Sequence, residues 1–460
     1  MKKLLSGLMA GVVVCSSTSS LVSCSKLSAI SEIYLVTDAG KISDKSFNES
    51  TFKAGNEFLQ EVLQEKDLKI SKIEPENSSS KVMKNQYRNA RNNGAKTILL
   101  PGFHHAMPGE GENYAPEVMS GKGSTIFLDG ESSATNELAF SFRGDISGFY
   151  AGMSAIIWGL QQKDKYKEIS LGSFGGISNP RAVDAFIVGY LAAIEVFNEL
   201  KKTDQGKEKL KNDFDLNEQD FTKKVKMTQS QFPNSPSDAS WYSNSFQQGD
   251  GLVVSSTLIQ NGANFIMPVA GPQTIDVVGL SKQKDGGETV KVIGVDTNQA
   301  EAFPQNKGIF LTSAEKDLQN ATIVGLAHTP YWIENHEGVV KKTAEYLKDK
   351  INLTEKNEQE EFVAVALDDE KTWSSSQWEE GKVGRTLWVG GNMSAGGRNL
   401  ATPELKEKIL LIFEPDVLTK ASIELFETID NNSFEKSLIN EKTIKAYADK
   451  ILNITLGGTF

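Results

Sequence analysis

The sequence predicts an α/β protein built on two parallel sheets. From Glu32 onward, short runs rich in β-branched and aromatic residues alternate with longer amphipathic runs, which is the pattern of strand-helix-strand units. The strands are too many for one ordinary sheet, and 460 residues suffice for two domains. The predicted strands are residues 33–37, 68–73, 97–100, 125–128, 169–172, 225–228, 265–269, 290–295 and 309–312.

Helices are predicted between these strands and after them. Residues 52–63 and 182–200 carry apolar side chains at helical spacing. Two more amphipathic helices are predicted near the C-terminal end, over residues 403–411 and 417–429.

Three further stretches carry no recognisable chemistry. Residues 201–224 and 349–361 are rich in Lys, Glu, Asp and Asn, which predicts surface insertions or solvated helices. The tryptophan-containing residues 371–399 are predicted to form a closing β-rich segment of a second lobe.

The first residues have the pattern of an export signal. Lysines at positions 2 and 3 precede an apolar run over residues 4–14. The segment Leu21-Val22-Ser23-Cys24 then resembles the lipobox of bacterial lipoproteins. We therefore expect a signal peptide over residues 1–23, acylation of Cys24, and a tether over residues 24–31 that holds the protein at the extracytoplasmic face of the cell membrane. The alternative is an ordinary signal peptide with an incidental cysteine.

Composition narrows the function classes. The chain has 60 acidic and 49 basic residues, a net charge of −11, which disfavours nucleic acid as a partner because nucleic acid is bound through clustered positive charge. No phosphate-binding loop and no Gly-x-Ser-x-Gly motif is present, and the histidines lack metal-ligand spacing. We expect no catalytic residue, no metal and no cofactor. Cys15 would leave with the signal peptide, so we expect no internal disulfide.

Polar or glycine residues follow several predicted strands. Asp38, Asp129, Gly271 and Asp296 each come directly after or close to a strand end. Ligands of parallel sheets bind beyond the carboxyl ends of the strands, so these residues are candidates for a site. For each aspartate taken alone, a helix cap or a turn acceptor is the commoner role.

Residues 36–48 read VTDAGKISDKSFN and resemble the signature of the basic membrane protein family of nucleoside-binding lipoproteins, the substrate-binding components of ABC importers. Weaker matches follow in the family's order, so the resemblance spans about residues 33–332. They are GFYAG at 148–152, FGG at 174–176, FIVGY at 186–190, SF at 245–246, VAG at 269–271, GVD at 294–296 and TSAEK at 312–316.

The resemblance implies two α/β lobes of the type I periplasmic-binding-protein fold, joined by a three-segment hinge, with the ligand enclosed between them. It places residues 32–135 and 313–349 in the first lobe, and residues 136–312 and 350–460, with insertions, in the second. Crossings are expected near residues 130–141, near residues 312–316 and again after Asp349. The implied partners are a nucleoside, an ABC permease and, through the lipid anchor, the membrane.

The resemblance also implies the site. Phe47 and Phe246 would sandwich the base, each stack contributing about 1–3 kcal/mol, and Asp38 and Asn48 would read its edge. Asp129 and Asp296 would accept hydrogen bonds from the ribose, Gly271 would let the backbone approach closely, and Lys316 would balance the acidic residues. Alternatively, Phe47 is a core residue. Trp241 or Phe232 could also take the place of Phe246.

Other functions stay open at this stage. The same aspartates and aromatic residues suit a sugar or another polyol. A surface antigen or adhesin is a further hypothesis, and a nucleoside hydrolase is another. Hydrolases of nucleosides use an aspartate-rich metal cluster, and Asp38 and Asp44 alone are too few for one. Because a phosphate would face several carboxylates, we expect nucleosides, with purines favoured, to bind better than nucleotides.

Overall fold

The chain folds into two α/β lobes, each built on one mainly parallel sheet. The computed structural model describes residues 29–38, 40–106, 114–229, 241–348, 350–358, 361–427 and 437–455. The predicted signal peptide and the predicted acylation site Cys24 lie outside the described residues. Within the described part of the chain, no helix is long and apolar enough to cross a membrane.

Among the nine predicted strands, those at residues 68–73 and 265–269 have the predicted bounds, and the others differ by up to four residues at an end. The first strand begins at Ala29, within the predicted tether, and the strands at residues 137–142, 353–356, 362–364, 385–389 and 392–393 were not among those predicted. In chain order the strands are β1 (Ala29–Val36), β2 (Leu68–Ile73), β3 (Thr97–Pro101), β4 (Ser124–Leu128), β5 (Glu137–Phe142), β6 (Glu168–Gly175), β7 (Lys224–Thr228), β8 (Phe265–Val269), β9 (Lys291–Asp296), β10 (Phe310–Glu315), β11 (Leu353–Lys356), β12 (Phe362–Ala364), β13 (Arg385–Val389) and β14 (Asn392–Met393).

Helices separate most of the strands. They are α1 (Phe47–Glu57), α2 (Ser80–Asn92), α3 (Ala115–Met119), α4 (Gly144–Gln161), α5 (Ala185–Leu200), α6 (Asp204–Phe214), α7 (Glu218–Thr222), α8 (Leu252–Gln260), α9 (Thr274–Asp285), α10 (Gln299–Ala302), α11 (Leu318–Ala327), α12 (Pro330–Asn335), α13 (Val339–Tyr346), α14 (Pro403–Ile412), α15 (Pro415–Glu427) and α16 (Glu441–Thr455). A π-helical segment, Phe58–Val62, continues α1, and another, Pro180–Asp184, precedes α5.

The first lobe is built on an eight-stranded sheet in the order β12-β11-β13-β5-β4-β3-β1-β2. Strands β3, β4 and β5 are buried along their whole length, as expected for a parallel sheet covered on both faces. Residues of α1 and α11 pack in one hydrophobic cluster and residues of α2 and α3 in another.

The second lobe is built on a six-stranded sheet in the order β14-β10-β9-β8-β6-β7. Helices α4 and α5 are buried on almost every side, and they pack together with α14 and α16 in the largest core cluster. A Cβ atom at Gly148 of α4 would lie 2.1 Å from the carbonyl oxygen of Phe186, and one at Gly189 of α5 would lie 1.9 Å from that of Asp145. These glycines of the GFYAG and FIVGY segments therefore allow backbone contact between the two helices.

The chain passes between the sheets three times within the described residues. The first crossing joins β5 to α4, the second joins β10 to α11, and the third joins β13 to β14. The Ser147 hydroxyl donates to the Glu315 carbonyl (2.7 Å) and accepts from the Asn392 amide (3.0 Å), so the start of α4 connects the other two crossings. The predicted fold class, two α/β lobes with a three-segment hinge, is confirmed.

Strand pairing shows that several segments belong to a different lobe from the one predicted. Strand β5 lies in the first sheet, although residues from 136 onward were assigned to the second lobe, and the first crossing falls at Arg143. Strands β11 and β13 also extend the first sheet, although residues 350–460 were assigned to the second lobe.

Packing explains this correction. Leu387 and Val389 of β13 are buried in the first-lobe cluster, and Trp373 stacks on His328 with ring centroids 3.6 Å apart. Residues 371–399 therefore mainly complete the first lobe rather than the second. The stretch 349–361, predicted to be a solvated insertion or helix, contains strand β11 with Leu353 buried.

Candidate functional site

A cavity lies between the lobes at the carboxyl ends of the strands, and every ligand-binding residue predicted from the sequence lines it. From the first lobe come Asp38, Phe47, Asn48 and Asp129, from the second come Phe246, Gly271 and Asp296, and Lys316 comes from the second crossing. The other lining residues were not among those predicted to bind the ligand. They are Gly40, Asp44, Ser46, Gly102, Phe103, His104, Ala182, Val183, Val269 and Pro272.

Asp38 and Asn48 form the polar corner of the cavity. Asn48 Nδ2 donates to Asp38 Oδ1 (3.1 Å) and to Asp44 Oδ2 (2.8 Å). Asn48 is 1% exposed, and its Oδ1 atom has no hydrogen-bond partner among the described residues. The amide thus meets the protein with its nitrogen and leaves its oxygen available.

His104 is a wall residue of this corner. Its Nδ1 lies 3.0 Å from Asp38 Oδ2. Burial would raise the pKa of Asp38, but the hydrogen bond and charge of His104, with smaller contributions from His105 and Asn48, lower it below its usual value. Asp38 is therefore ionised at neutral pH, and Nδ1 of His104 carries the proton between them.

Asp44 holds the first turn of α1. Its carboxylate accepts from the backbone amides of Ser46 (2.8 Å), Asn48 (2.9 Å) and Glu49 (3.1 Å), which are among the donors that a helix start leaves unpaired. Burial raises the pKa of Asp44 to about 6, and these hydrogen bonds only partly oppose the rise.

Lys316 links carboxylates from both lobes. Its Nζ lies 2.8 Å from Asp129 Oδ2 and 3.5 Å from Asp296 Oδ1, and it also donates to the Ala182 carbonyl at 3.1 Å. The Lys316 side chain is 2% exposed. Burial raises the pKa of Asp129, while the neighbouring Lys316 opposes the rise. Lys316 thus donates hydrogen bonds to Asp129 and to the Ala182 carbonyl and makes a longer ion pair with Asp296.

Aromatic rings form the apolar walls. Phe103 stacks on His104 with centroids 4.3 Å apart, and Phe246 meets both rings edge-on at 5.9 and 5.4 Å. Phe47 packs edge-on against Phe142 at 6.3 Å, and Lys316 Nζ lies 4.9 Å from the centroid of the Phe47 ring. Phe47 thus lines the cavity and also belongs to the first-lobe core.

The backbone turns sharply where the strands meet the cavity. Asp129 and Asp296 have φ angles of 89° and 63°, and Gly102 and Gly271 have φ angles of 98° and 45°. A Cβ atom at Gly102 would lie 2.3 Å from Asp38 Oδ2. Left-handed aspartates cost conformational energy and are concentrated at functional sites.

The two lobes touch across the cleft. Ser46 Oγ donates to Asp296 Oδ2 at 2.9 Å, and Thr297 Oγ1 donates to the Lys45 carbonyl at 3.4 Å. These contacts join the loop before α1 to the loop after β9, so the cavity is bounded from both lobes.

Sequence reasoning missed part of this site. The histidines at 104 and 105 were not among the residues predicted to bind the ligand, yet both are buried, and His105 Nδ1 lies 2.7 Å from the Tyr87 hydroxyl. The available signal was that they follow β3, whose end points into the cleft. Of the alternatives to Phe246, Trp241 is buried in the second-lobe core and Phe232 lies outside the described residues.

Metal-binding geometry is not found in the described residues, which contain no group of three or more His, Cys, Asp or Glu side chains placed to hold an ion. The carboxylates of the cavity are instead paired with Lys316, His104, Asn48 and backbone amides. Their arrangement is suited to accept hydrogen bonds from a ligand.

No protein-family model and no curated protein matches this chain. Solved structures do resemble it. A solute-binding protein of an ABC transporter system from Aeropyrum pernix K1 is similar with a TM-score of 0.50 and 15% identity, over 93% of this chain and 98% of that one. One from Conexibacter woesei DSM 14684 has a TM-score of 0.44 and 12% identity, over 87% and 98%. At these identities the likeness concerns the fold alone.

Proposed function

We propose that this protein is a lipid-anchored, extracytoplasmic solute-binding protein of an ABC importer that encloses a nucleoside, with purines favoured, between its lobes. One observation carries the proposal. The eight positions to which the resemblance assigns ligand binding are scattered between residues 38 and 316, and all eight line one cavity.

The aromatic residues supply the faces for a base. Phe47 comes from the first lobe and Phe246 from the second, and both line the cavity. Stacking on aromatic side chains stabilises a bound base by about 1–3 kcal/mol per ring. Since the two rings belong to different lobes, closure of the lobes would complete the binding surface.

The paired aspartates supply acceptors for a ribose. Asp129 and Asp296 lie on opposite lobes, and Lys316 compensates part of their charge. Hydroxyl groups donate to such carboxylates without adding charge. A phosphate would meet four cavity carboxylates, those of residues 38, 44, 129 and 296, with Lys316 already paired. The site therefore favours a nucleoside over its monophosphate.

The cavity lining also gives support to a second candidate, a sugar or another polyol. Its buried side chains are mainly hydrogen-bond acceptors, and several hydroxyl groups would satisfy them as well as a ribose would. What distinguishes the candidates is the edge of the base, because only a nucleoside brings a base whose edge can bond to Asp38 and Asn48.

Lobe closure would present a different outer shape to a permease partner than the ligand-free form does. The acyl chain on Cys24 would keep the protein close to that permease. Capture is thus the proposed activity of this chain, and transport follows from it.

Calorimetric titration of the soluble chain, begun after Cys24 and stripped of ligand by unfolding and refolding, tests the proposal. Guanosine, inosine, adenosine and uridine are titrated beside ribose and guanosine 5′-monophosphate. We expect nucleoside dissociation constants on the order of micromolar or lower, with ribose silent and the monophosphate much weaker. Binding of ribose or another sugar alone would exclude the nucleoside, and equal binding of guanosine and its monophosphate would contradict the charge argument.

A further inference from the structure

The orientation of one amide decides which hydrogen bonds the cavity can offer. Both hydrogens of Asn48 Nδ2 are directed at carboxylate oxygens, Asp38 Oδ1 at 3.1 Å and Asp44 Oδ2 at 2.8 Å. An amide nitrogen has two hydrogens to donate. Asn48 therefore has no donor left for a ligand.

The opposite orientation is unfavourable. A turn of the amide by half a revolution would place Asn48 Oδ1 against the same two carboxylate oxygens, with no hydrogen between them. Asp44 cannot easily move away, because its carboxylate is also held by the backbone amides of Ser46, Asn48 and Glu49. Asp44 thus fixes the amide from the side remote from Asp38.

The oxygen that remains is buried and unsatisfied. Asn48 is 1% exposed and lines the cavity, and its Oδ1 has no partner among the described residues. A buried carbonyl oxygen without a donor costs stability, so a ligand donor at this point would be favoured.

The neighbouring side chains do not supply that donor. Asp38 is itself an acceptor, of the Gly40 amide at 3.0 Å and of Asn48 through Oδ1, while its Oδ2 faces His104. Lys316 is directed at Asp129, Asp296 and the Ala182 carbonyl. At this corner the ligand must therefore bring the hydrogen.

Building on the proposed function, we propose that Asp44 is a positioning residue that locks Asn48 as an acceptor, so that the protein selects nucleosides whose base carries a ring N–H. Guanosine, inosine and uridine have that donor. Adenosine and cytidine have an unprotonated ring nitrogen at the equivalent position, which would face the oxygens of Asn48 and Asp38. Their exocyclic amino group can satisfy one oxygen only by bringing the ring nitrogen close to the other.

The test uses ligand pairs of matched size. Inosine is compared with adenosine, and uridine with cytidine, by calorimetric titration of the stripped soluble chain. We expect the base with the ring N–H to bind at least about tenfold more tightly within each pair, because a mismatched base leaves a buried polar group unpaired.

Two variants separate the positioning role from a general effect on the fold. Asp44→Asn replaces the carboxylate oxygen that accepts from Asn48 Nδ2 with an NH2 group. The Asn48 amide can then turn either way, so the affinity ratio within each pair should fall towards one. Glu49→Gln is the matched control, since this acidic residue of the same helical turn faces Lys45 and Lys53 and should leave the ratio unchanged.

Each outcome has a distinct meaning. Equal affinity for the two nucleosides of each pair would overturn the selectivity inference and leave the proposed function standing. The same holds if the affinity ratio within each pair is unchanged in Asp44→Asn. Absence of binding by every nucleoside would overturn both. If Asp44→Asn fails to fold, the ratios of the wild-type chain alone decide.

Discussion

Lys316 is the residue on which the electrostatics of the cavity depend. It lies within 2.8 and 3.5 Å of carboxylate oxygens from the two lobes and is almost fully buried. A buried charge pair gains little net stability over an apolar substitute, but loss of one partner leaves the other charge uncompensated.

We predict that Lys316→Met lowers the free energy of unfolding by about 3–5 kcal/mol and abolishes nucleoside binding. Denaturant unfolding with calorimetry measures both. Lys408→Met, which removes a largely exposed ion pair with Glu404, is the control and should change stability by no more than about 0.5 kcal/mol.

The same variant has a defined pH dependence. Burial already raises the pKa of Asp129, and the loss of Lys316 would raise that pKa further. A carboxyl whose folded pKa exceeds its unfolded pKa of about 3.9 loses stability as pH rises. The deficit of Lys316→Met should therefore shrink as pH is lowered, and a deficit independent of pH would argue against an electrostatic cause.

The sequence predicted the positions of the cavity residues but not the hydrogen bonds between them. Asp38, Asp129 and Asp296 were predicted because each follows a strand, and strand ends meet at one edge of a parallel sheet. The acceptor-only state of Asn48 could not be predicted, because it depends on where the Asp44 carboxylate lies after folding.

At the scale of elements, the π-helical turn Pro180–Asp184 connects the cavity wall to the C-terminal helix. Ala182 and Val183 line the cavity. Asp184 accepts from the Tyr242 hydroxyl at 2.8 Å and from the Leu438 backbone amide at 3.0 Å. The segment before α16 is thereby held against the turn.

We predict that Asp184→Ala speeds amide hydrogen exchange at Leu438 and in α16, because the Leu438 amide loses its acceptor. Asp285→Ala is a matched control, since Asp285 accepts from the amides of Glu288 and Thr289 in a surface turn of the same lobe. Exchange in α16 that is equal in the two variants would contradict the role of Asp184.

Asp184 also makes this part of the protein sensitive to pH. Burial raises its pKa to about 6, and the hydrogen bonds from Leu438 and Tyr242 only partly oppose the rise. Its contribution to stability is therefore complete below about pH 4 and lost as pH rises to about 6. Asp184→Asn should flatten that part of the stability profile.

The elements themselves were largely predictable, and their sheet membership was only partly so. Local patterning located β8 as a short apolar run and β2 as a short run in which apolar and polar residues are interspersed. The position of β13 beside β5 depends on pairing between residues more than 240 apart, as between Arg385 and Leu138. Such non-local pairing leaves no signal in a short window of sequence.

At the scale of the whole molecule, the three crossings and the cleft contacts join the lobes around the cavity between them. The hinge lies at Arg143, at Lys316 and at the turn after β13, and Lys316 is both a hinge residue and a cavity residue. A ligand that contacts Lys316 therefore contacts the hinge as well, which is consistent with capture by closure of the lobes.

A crystal structure of the soluble chain grown with guanosine is the most direct test of the account. We predict the base between the rings of Phe47 and Phe246, its ring N–H within about 3 Å of Asn48 Oδ1, and ribose hydroxyls at similar distances from Asp129 and Asp296. Guanosine bound outside this cavity would contradict the account. So would guanosine in this cavity with its ring N–H directed away from Asn48.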